Sequence, residues 1–345
     1  MSKDFKKILI FGYRHLGDTL FITPALSSLK TKFPDSHLTL LAGKASYELL
    51  KGNPAVDELI VLPKISFKEK LKIRKILKRE RFDTAILFRH TFLDALFIYF
   101  LGIPQRVGLA WKGCGPFLTH KVSYRHNWHE VERYLEIVKL LGARSSDKGL
   151  KVFISSQDKE FAKVLLQKRG VTDKDLLIGL NPGSSEKWKI KRWGKERFAQ
   201  LSDELIKRDK AKIIIFAGPD NDGLTSEITK LMENKPIVLE ERVTLKQLAA
   251  LIGRCHLFIT NDTGPMHIAE AMKTKVIDIV GPSDTKKTGP LGDNAVIIKK
   301  DLPCRPCKKR TCEDLSCLRL ITVEEVLERA EEQIAQTKKM IGVRC

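Results

Sequence analysis

The chain has 345 residues, 43% hydrophobic and 30% charged, too long for one ordinary core and too apolar for disorder, so two packed domains are expected. Its formal charge of +20 attracts nucleic acid, an anionic membrane surface or a polyanionic substrate without choosing among them. No stretch reaches the roughly 18 apolar residues of a spanning helix, and the start runs from charge directly into a strand-like segment. Seven cysteines with no secretory signal argue against a disulfide framework, so the cytoplasm is the expected compartment.

Short β-branched runs at KILIF (7–11), HLTLLA (37–42), ELIVL (58–62) and TAILF (84–88) alternate with segments of helical period, which predicts βαβ units and a mostly parallel sheet. After the first run, Gly12 and Gly17 permit a tight turn and Asp18 stands at a helix start. There it serves either as an N-cap or as an acid facing a ligand. The loop lacks both the GK[ST] ending of a phosphate loop and the GxGxxG spacing of a dinucleotide site. Residues 66–82, SFKEKLKIRKILKRERF, read as a basic amphipathic helix, lying on an anionic membrane or presenting a solvated charged face. The basic stretches lack interleaved aromatics, so nucleic acid is not an expected partner.

Past the polar stretch GARSSDKG (142–149) the rhythm restarts at LLIGL (176–180), KIIIFAG (212–218), HLFIT (256–260) and KVIDIV (275–280). Domains are therefore expected at 1–150 and 151–325, followed by an amphipathic helix in 326–345. The loop NPGSSEKWKIKRW (181–193) offers the Ser184 and Ser185 hydroxyls and lysines including Lys191, ahead of Trp193, to phosphate oxygens, or is a solvated basic loop. The strand HLFIT runs into NDTGPMHIAEAM, where Asp262 and Thr263 open a helix, Gly264 admits a close backbone approach and His267 follows a turn later. A helix N-terminus there suits a diphosphate; the alternative is a capping Asp and a core His. Gly218 with Asp220 or Asp222, and the loop 279–292, extend the same rim. Cys304, Cys307, Cys312 and Cys317 would converge as a closed structural zinc site, or remain reduced thiols or an occasional disulfide.

With LGDT, SSEKWKIKRW, NDTGPMHIAEAM and GPSDTKKTGP in this order, the chain resembles the heptosyltransferases of glycosyltransferase family 9 over nearly its whole length. The resemblance implies an α/β GT-B fold of two Rossmann-like domains with parallel sheets facing a central cleft. It assigns an N-terminal acceptor domain, a C-terminal donor domain and a last helix crossing back toward the first. It implies inverting transfer from ADP-heptose to lipid A-core acceptors, with no cofactor required and no catalytic metal. By position it puts the base on Asp18, the phosphate lysine on Lys191, the hydroxyl pair on Ser184 and Ser185, and the diphosphate loop on Asp262, Thr263, Gly264 and His267. It also implies an acidic residue near the nucleoside, for which Asp222 and Asp220 are both candidates, with Gly218 on the same rim. The acceptor's phosphates and carboxylates match the basic N-terminal half, with Arg14, Lys64, Lys68, Arg89, Arg106, Lys112 and Arg125 as candidate contacts. Such an acceptor places the protein peripherally at the cytoplasmic face of the inner membrane. A GT-B transferase using another sugar nucleotide, and a non-catalytic relative that binds lipopolysaccharide, are the alternatives.

Overall fold

The structure is a computed structural model describing residues 5–13, 15–62, 67–216, 218, 223–239, 242–307 and 309–341. Its strands in chain order are β1 (Lys7–Phe11), β2 (His37–Ala42), β3 (Glu58–Val61), β4 (Thr84–Leu87), β5 (Gln105–Ala110), β6 (His120–Ser123), β7 (Leu177–Asn181), β8 (Lys212–Ile215), β9 (Ile237–Val238), β10 (Leu257–Asn261), β11 (Lys275–Val280) and β12 (Ala295–Lys299). The chain divides into two units, Met1–Phe153 and Ile154–Cys345.

The first unit holds a six-stranded sheet in the order β3-β2-β1-β4-β5-β6 and the second a sheet in the order β12-β11-β10-β7-β8-β9, with every pair parallel. Parallel strands covered on both faces read as unbroken apolar runs, and β1 (KILIF) and β7 (LIGLN) do so. Counted from its own first strand, each unit has the doubly wound order 3-2-1-4-5-6. The winding reverses between β1 and β4 in the first unit and between β7 and β10 in the second. Crossovers leave the sheet in opposite directions there, opening a crevice at the carboxyl ends of the strands.

In the second unit, Ile178, Leu180, Ile213, Ile215, Ile277 and Ile279 of the sheet meet Phe198, Leu201 and Leu205 of the helix Lys195–Asp209 and Val326, Leu327, Ala330 and Ile334 of the helix Val323–Ile341. That last helix, whose sequence pattern is apolar on one side and charged on the other, packs on the helix Lys195–Asp209 and on β10 and β11. Among the described residues, no helix is long and apolar enough to cross a membrane.

Gly179, central in β7, marks how closely the opposite face is packed. A Cβ there would stand 2.7 Å from Phe258 Cδ2, 2.9 Å from Phe216 Cε2 and 3.0 Å from Cys255 Sγ. Gly179→Val should destabilise the second unit by about 1–3 kcal/mol through overpacking. Thermal melts followed by circular dichroism measure this, and an unchanged midpoint would show that the three neighbours yield freely.

Candidate donor and acceptor sites at the two switch points

The candidate site of the second unit is built where β7 and β10 end side by side. Asn181, the last residue of β7, donates from Nδ2 to Thr260 Oγ1 at 2.8 Å and Thr263 Oγ1 at 2.9 Å. Asn261, the last residue of β10, donates to Pro182 O at 2.7 Å and accepts from Trp193 N at 3.0 Å. Trp193 is buried and its indole N–H donates to Ile321 O at 2.9 Å. These bonds fasten the loop after β7 to the end of β10, and so fix the position of Lys191, two residues before the anchored indole.

Lys191 Nζ lies 2.8 Å from Asp262 Oδ2 and 3.1 Å from Asp262 O, the lysine side chain 22% exposed and the carboxylate 6%. Burial pushes the Asp262 carboxyl up. The Lys191 ammonium, hydrogen bonds from Lys191 and Ser283, and the charge of His267 outweigh it and hold Asp262 below the ordinary carboxylate range. An ammonium has three N–H donors, and the two bonds to Asp262 occupy two of them. Asp262 does not cap the helix Gly264–Ala271; Thr263 is its N-cap, in extended conformation. Pro265 in the first turn has no N–H, and Met266 N bonds Thr263 O at 3.1 Å, so the amides at this terminus are those of Thr263 and Gly264. His267 is buried, its Nδ1 3.7 Å from Glu270 Oε2. Glu270 Oε1 in turn accepts from Leu291 N at 2.7 Å and Gly292 N at 3.1 Å, pinning the loop after β11 to this helix.

Asp278 lies in the middle of β11, fully buried, with neither carboxylate oxygen hydrogen-bonded among the described residues. Burial first, then the charges of Asp262 and Glu270, push its carboxyl well above the ordinary range against the pull of Lys191. A charged residue inside the run KVIDIV was the sequence signal for it. Asn181, Asn261, Ser283, Glu270 and Asp278 were not singled out from the sequence.

The expected hydroxyl pair divides. Ser185 is exposed, whereas Ser184 is buried, bonding Trp188 O at 3.0 Å and accepting from Arg192 Nε at 3.2 Å. Gly218 is exposed beyond the end of β8, and Asp220 and Asp222 lie outside the described residues. A second Asp-x-Asp string, Asp173 to Asp175, precedes β7 at the opposite edge, with Asp173 paired to Arg254 and Asp175 accepting from Thr172 N at 2.7 Å.

In the first unit Asp18 sits inside the helix Leu16–Phe21, whose N-cap is His15, so capping is not its role. Nearby, Tyr13 Oη donates to Phe88 O at 2.8 Å, across the β1/β4 switch point. The Tyr134 hydroxyl lies 2.7 Å from Tyr13 Oη and 3.0 Å from Glu130 Oε2. Burial, together with the negative charges of Asp18 and Glu130, raises both phenols far above their ordinary value, so they stay protonated. At the ends of β4, β5 and β6, Trp111 stacks on Tyr124 with centroids 3.7 Å apart, His90 tilts against Trp111 at 5.0 Å, and the buried Arg133 lies 4.5 Å from the Tyr124 ring. Burial, then Arg133 and Lys112, pull His90 down to about 4, so it is neutral at physiological pH. This aromatic group was not anticipated.

Of the expected acceptor cations, Lys112 and Arg125 are exposed, beyond the ends of β5 and β6, each over a tryptophan ring, at 4.7 Å from Trp111 and 5.0 Å from Trp128. Arg89 pairs with the buried Asp94 at 3.4 Å. Arg106 is at the opposite end of β5, donating to Phe117 O at 2.6 Å and to Ile103 O, so it does not join the others. Lys68 is exposed on the helix Phe67–Arg79, and Arg14 and Lys64 lie outside the described residues.

Among the described residues, no three His, Cys, Asp or Glu side chains are placed to hold a metal ion, so the four-cysteine zinc site is not assembled. Cys304 and Cys312 are exposed and Cys307 and Cys317 half-buried, all four as free thiols. Cys307 Sγ accepts from Lys309 N at 3.3 Å, while Cys317 packs against the second core.

Comparison with known proteins places this geometry. Residues 70–317 match glycosyltransferase family 9 (heptosyltransferase). Lipooligosaccharide heptosyltransferase 2 of Campylobacter jejuni is 31% identical, the likeness covering 94% of this chain and 97% of that one. The crystal structure of the family 9 glycosyltransferase from Veillonella parvula is 29% identical with a TM-score of 0.87, covering 97% of this chain and 99% of that one. The E. coli ADP-heptose lps heptosyltransferase II shares the fold at 24% identity, TM-score 0.80, covering 96% and 99%. The fold is thus the GT-B type of two Rossmann-like units. A family match over that much of the sequence, joined to a relative similar along its full length, shows that the chain belongs to glycosyltransferase family 9, the heptosyltransferases, and is a glycosyltransferase.

Proposed function

We propose that the protein transfers L-glycero-D-manno-heptose from ADP-heptose to the inner core of lipopolysaccharide, onto Kdo-lipid A or a core heptose. Transfer proceeds with inversion at the anomeric carbon and without a divalent cation. The observation that carries the reading is the Lys191–Asp262 pair at the β7/β10 switch point, in a chain whose relatives bear heptosyltransferase names.

The third N–H of Lys191, the Thr263 and Gly264 amides and the dipole of the helix Gly264–Ala271 supply positive potential for a diphosphate. As the bond between the anomeric carbon and the phosphate oxygen breaks, that oxygen leaves with the electron pair, and these fixed groups answer the charge it gains. The upward shift of the Asp278 carboxyl suits this role, because a second negative charge beside Asp262 would repel the leaving group. Ser185 and Gly218 suit contacts to the donor's phosphate and nucleoside ends.

Asp18 takes the proton of the acceptor hydroxyl while that oxygen forms the new bond from the face opposite the diphosphate. The Trp111–Tyr124 stack offers sugar rings an aromatic face, and Lys112 and Arg125 answer acceptor phosphates and carboxylates. A lipid-borne acceptor puts the enzyme peripherally at the cytoplasmic face of the inner membrane, where the exposed cations of the helix Phe67–Arg79 meet anionic headgroups.

Asp18→Asn should lower kcat by about two to four powers of ten with donor affinity retained. Rapid-quench or coupled ADP-release assays read this, and near-normal turnover would remove Asp18 from the role of base. Lys191→Gln should raise the donor KM about 10- to 100-fold, since it removes a charged hydrogen bond to phosphate. The same substitution leaves the buried Asp262 charge unpaired, so a melt must accompany the kinetics. Activity should persist in excess EDTA; loss restored by magnesium would point instead to a cation, with Asp220 and Asp222 as its first candidate ligands.

A further inference from the structure

The helix Phe92–Phe100, FLDALFIYF, inverts the usual pattern of a surface helix. Its buried side is Asp94, Ala95, Phe97 and Ile98, while Phe92 (46% exposed), Leu93 (48%), Tyr99 (49%) and Phe100 (54%) face solvent. With Leu96 half-buried among them, these five side chains fill an arc of about 120° at 100° per residue, and none is charged. Monomeric proteins rarely leave so continuous an apolar stripe in water. The stripe is braced: Phe92 and Tyr99 pack edge-on against Phe117 at 5.4 and 5.7 Å, and the Arg106 guanidinium sits 5.4 Å from the Tyr99 ring.

The neighbouring helix Phe67–Arg79 touches this one and covers the same core, contributing Leu77 beside Ala95, Phe97 and Ile98. Among its described side chains the exposed charges, Lys68, Lys72, Arg74, Lys75, Lys78 and Arg79, are all basic, with Leu71 and Ile76 exposed among them. An aromatic stripe beside a cationic one matches a bilayer interface, where rings enter the headgroup region and cations meet lipid phosphates.

We propose that the solvent face of the helix Phe92–Phe100, flanked by the helix Phe67–Arg79, is a docking surface for an anionic lipid bilayer. The apolar stripe enters the headgroup layer and the basic helix lies along its phosphates. The inference deepens the proposed function by naming the surface on which a lipid-borne acceptor would be met, and rests on that reading only for the acceptor's identity.

The test is flotation of the full chain with vesicles of phosphatidylethanolamine and phosphatidylglycerol, against vesicles of phosphatidylcholine, with no donor or acceptor present. Leu93→Ser/Phe100→Ser should weaken binding to the anionic vesicles by at least about tenfold. Lys75→Gln/Lys78→Gln should weaken it about tenfold as well and reduce its salt dependence. Both pairs replace exposed side chains, and melts verify that each variant is folded. Undiminished binding of the Leu93/Phe100 pair would overturn the proposal. So would a wild-type chain that ignores vesicles but sediments as a dimer which that pair splits, making the face a contact between copies. Because no substrate is present, the vesicle result is read separately from any failure of heptose transfer.

Discussion

A carboxylate buried at the end of a central parallel strand must be answered by a cation, and the Lys191–Asp262 pair is that constraint in this protein. Removing one partner of such a pair strands a buried charge and typically costs about 3–5 kcal/mol. The loop 182–193 is therefore held against β10 by electrostatics as well as by Asn181, Asn261 and Trp193. The pair also sets the charge of its surroundings. With Asp262 ionised, burial and the charges of Asp262 and Glu270 disfavour a further carboxylate at Asp278, while Lys191 and a helix N-terminus add positive potential. An anionic ligand meets a prearranged field instead of a pool of mobile lysines.

The two units share one strand order but develop its switch point in opposite chemical directions. Between β7 and β10 the polar groups are an ammonium braced by a buried carboxylate, amides and carboxamides, which together offer donors to oxygen anions. At the β1/β4 switch point are a carboxylate and two protonated phenols, with a stacked indole and phenol farther along the same edge. Such groups suit hydroxyls and sugar rings. Strand order fixes where a ligand can sit; the residues directly after each strand decide which ligand.

Strand positions were legible at most of the apolar runs that stand alone. KILIF, HLTLLA and KVIDIV coincide with β1, β2 and β11, and ELIVL and TAILF run one residue past β3 and β4. β5 was missed because QRVGLA mixes charge and glycine, β6 and β9 because four and two residues at a sheet edge carry no period, and β12 (AVIIK) was also not read as a strand. At the site, the D-T-G-x-x-H loop and Lys191 were visible as a local string, and the structure brings Lys191 to Asp262. Asn181 and Asn261 were not visible, since their role exists only once β7 and β10 are neighbours. The cysteines erred the other way: close in sequence, Cys304, Cys307, Cys312 and Cys317 differ in exposure and form no ligand set among the described residues.

The same distinction between sequence proximity and spatial use governs the charge of +20. The basic first half was first attributed to the acceptor, yet Arg106 is bound to main-chain carbonyls and Arg89 to Asp94, while Lys112 and Arg125 rest over indoles. A guanidinium held by carbonyls at the amino end of a strand contributes to folding and little to a ligand at the other end. The largest group of exposed cations lies instead on the helix Phe67–Arg79, beside an uncharged aromatic face. Acceptor chemistry at the carboxyl edge needs only a few well-placed groups, whereas a bilayer surface presents many weakly held phosphates. The cations of that helix are thus left available to a surface, whereas Arg89 and Arg106 are engaged within the fold.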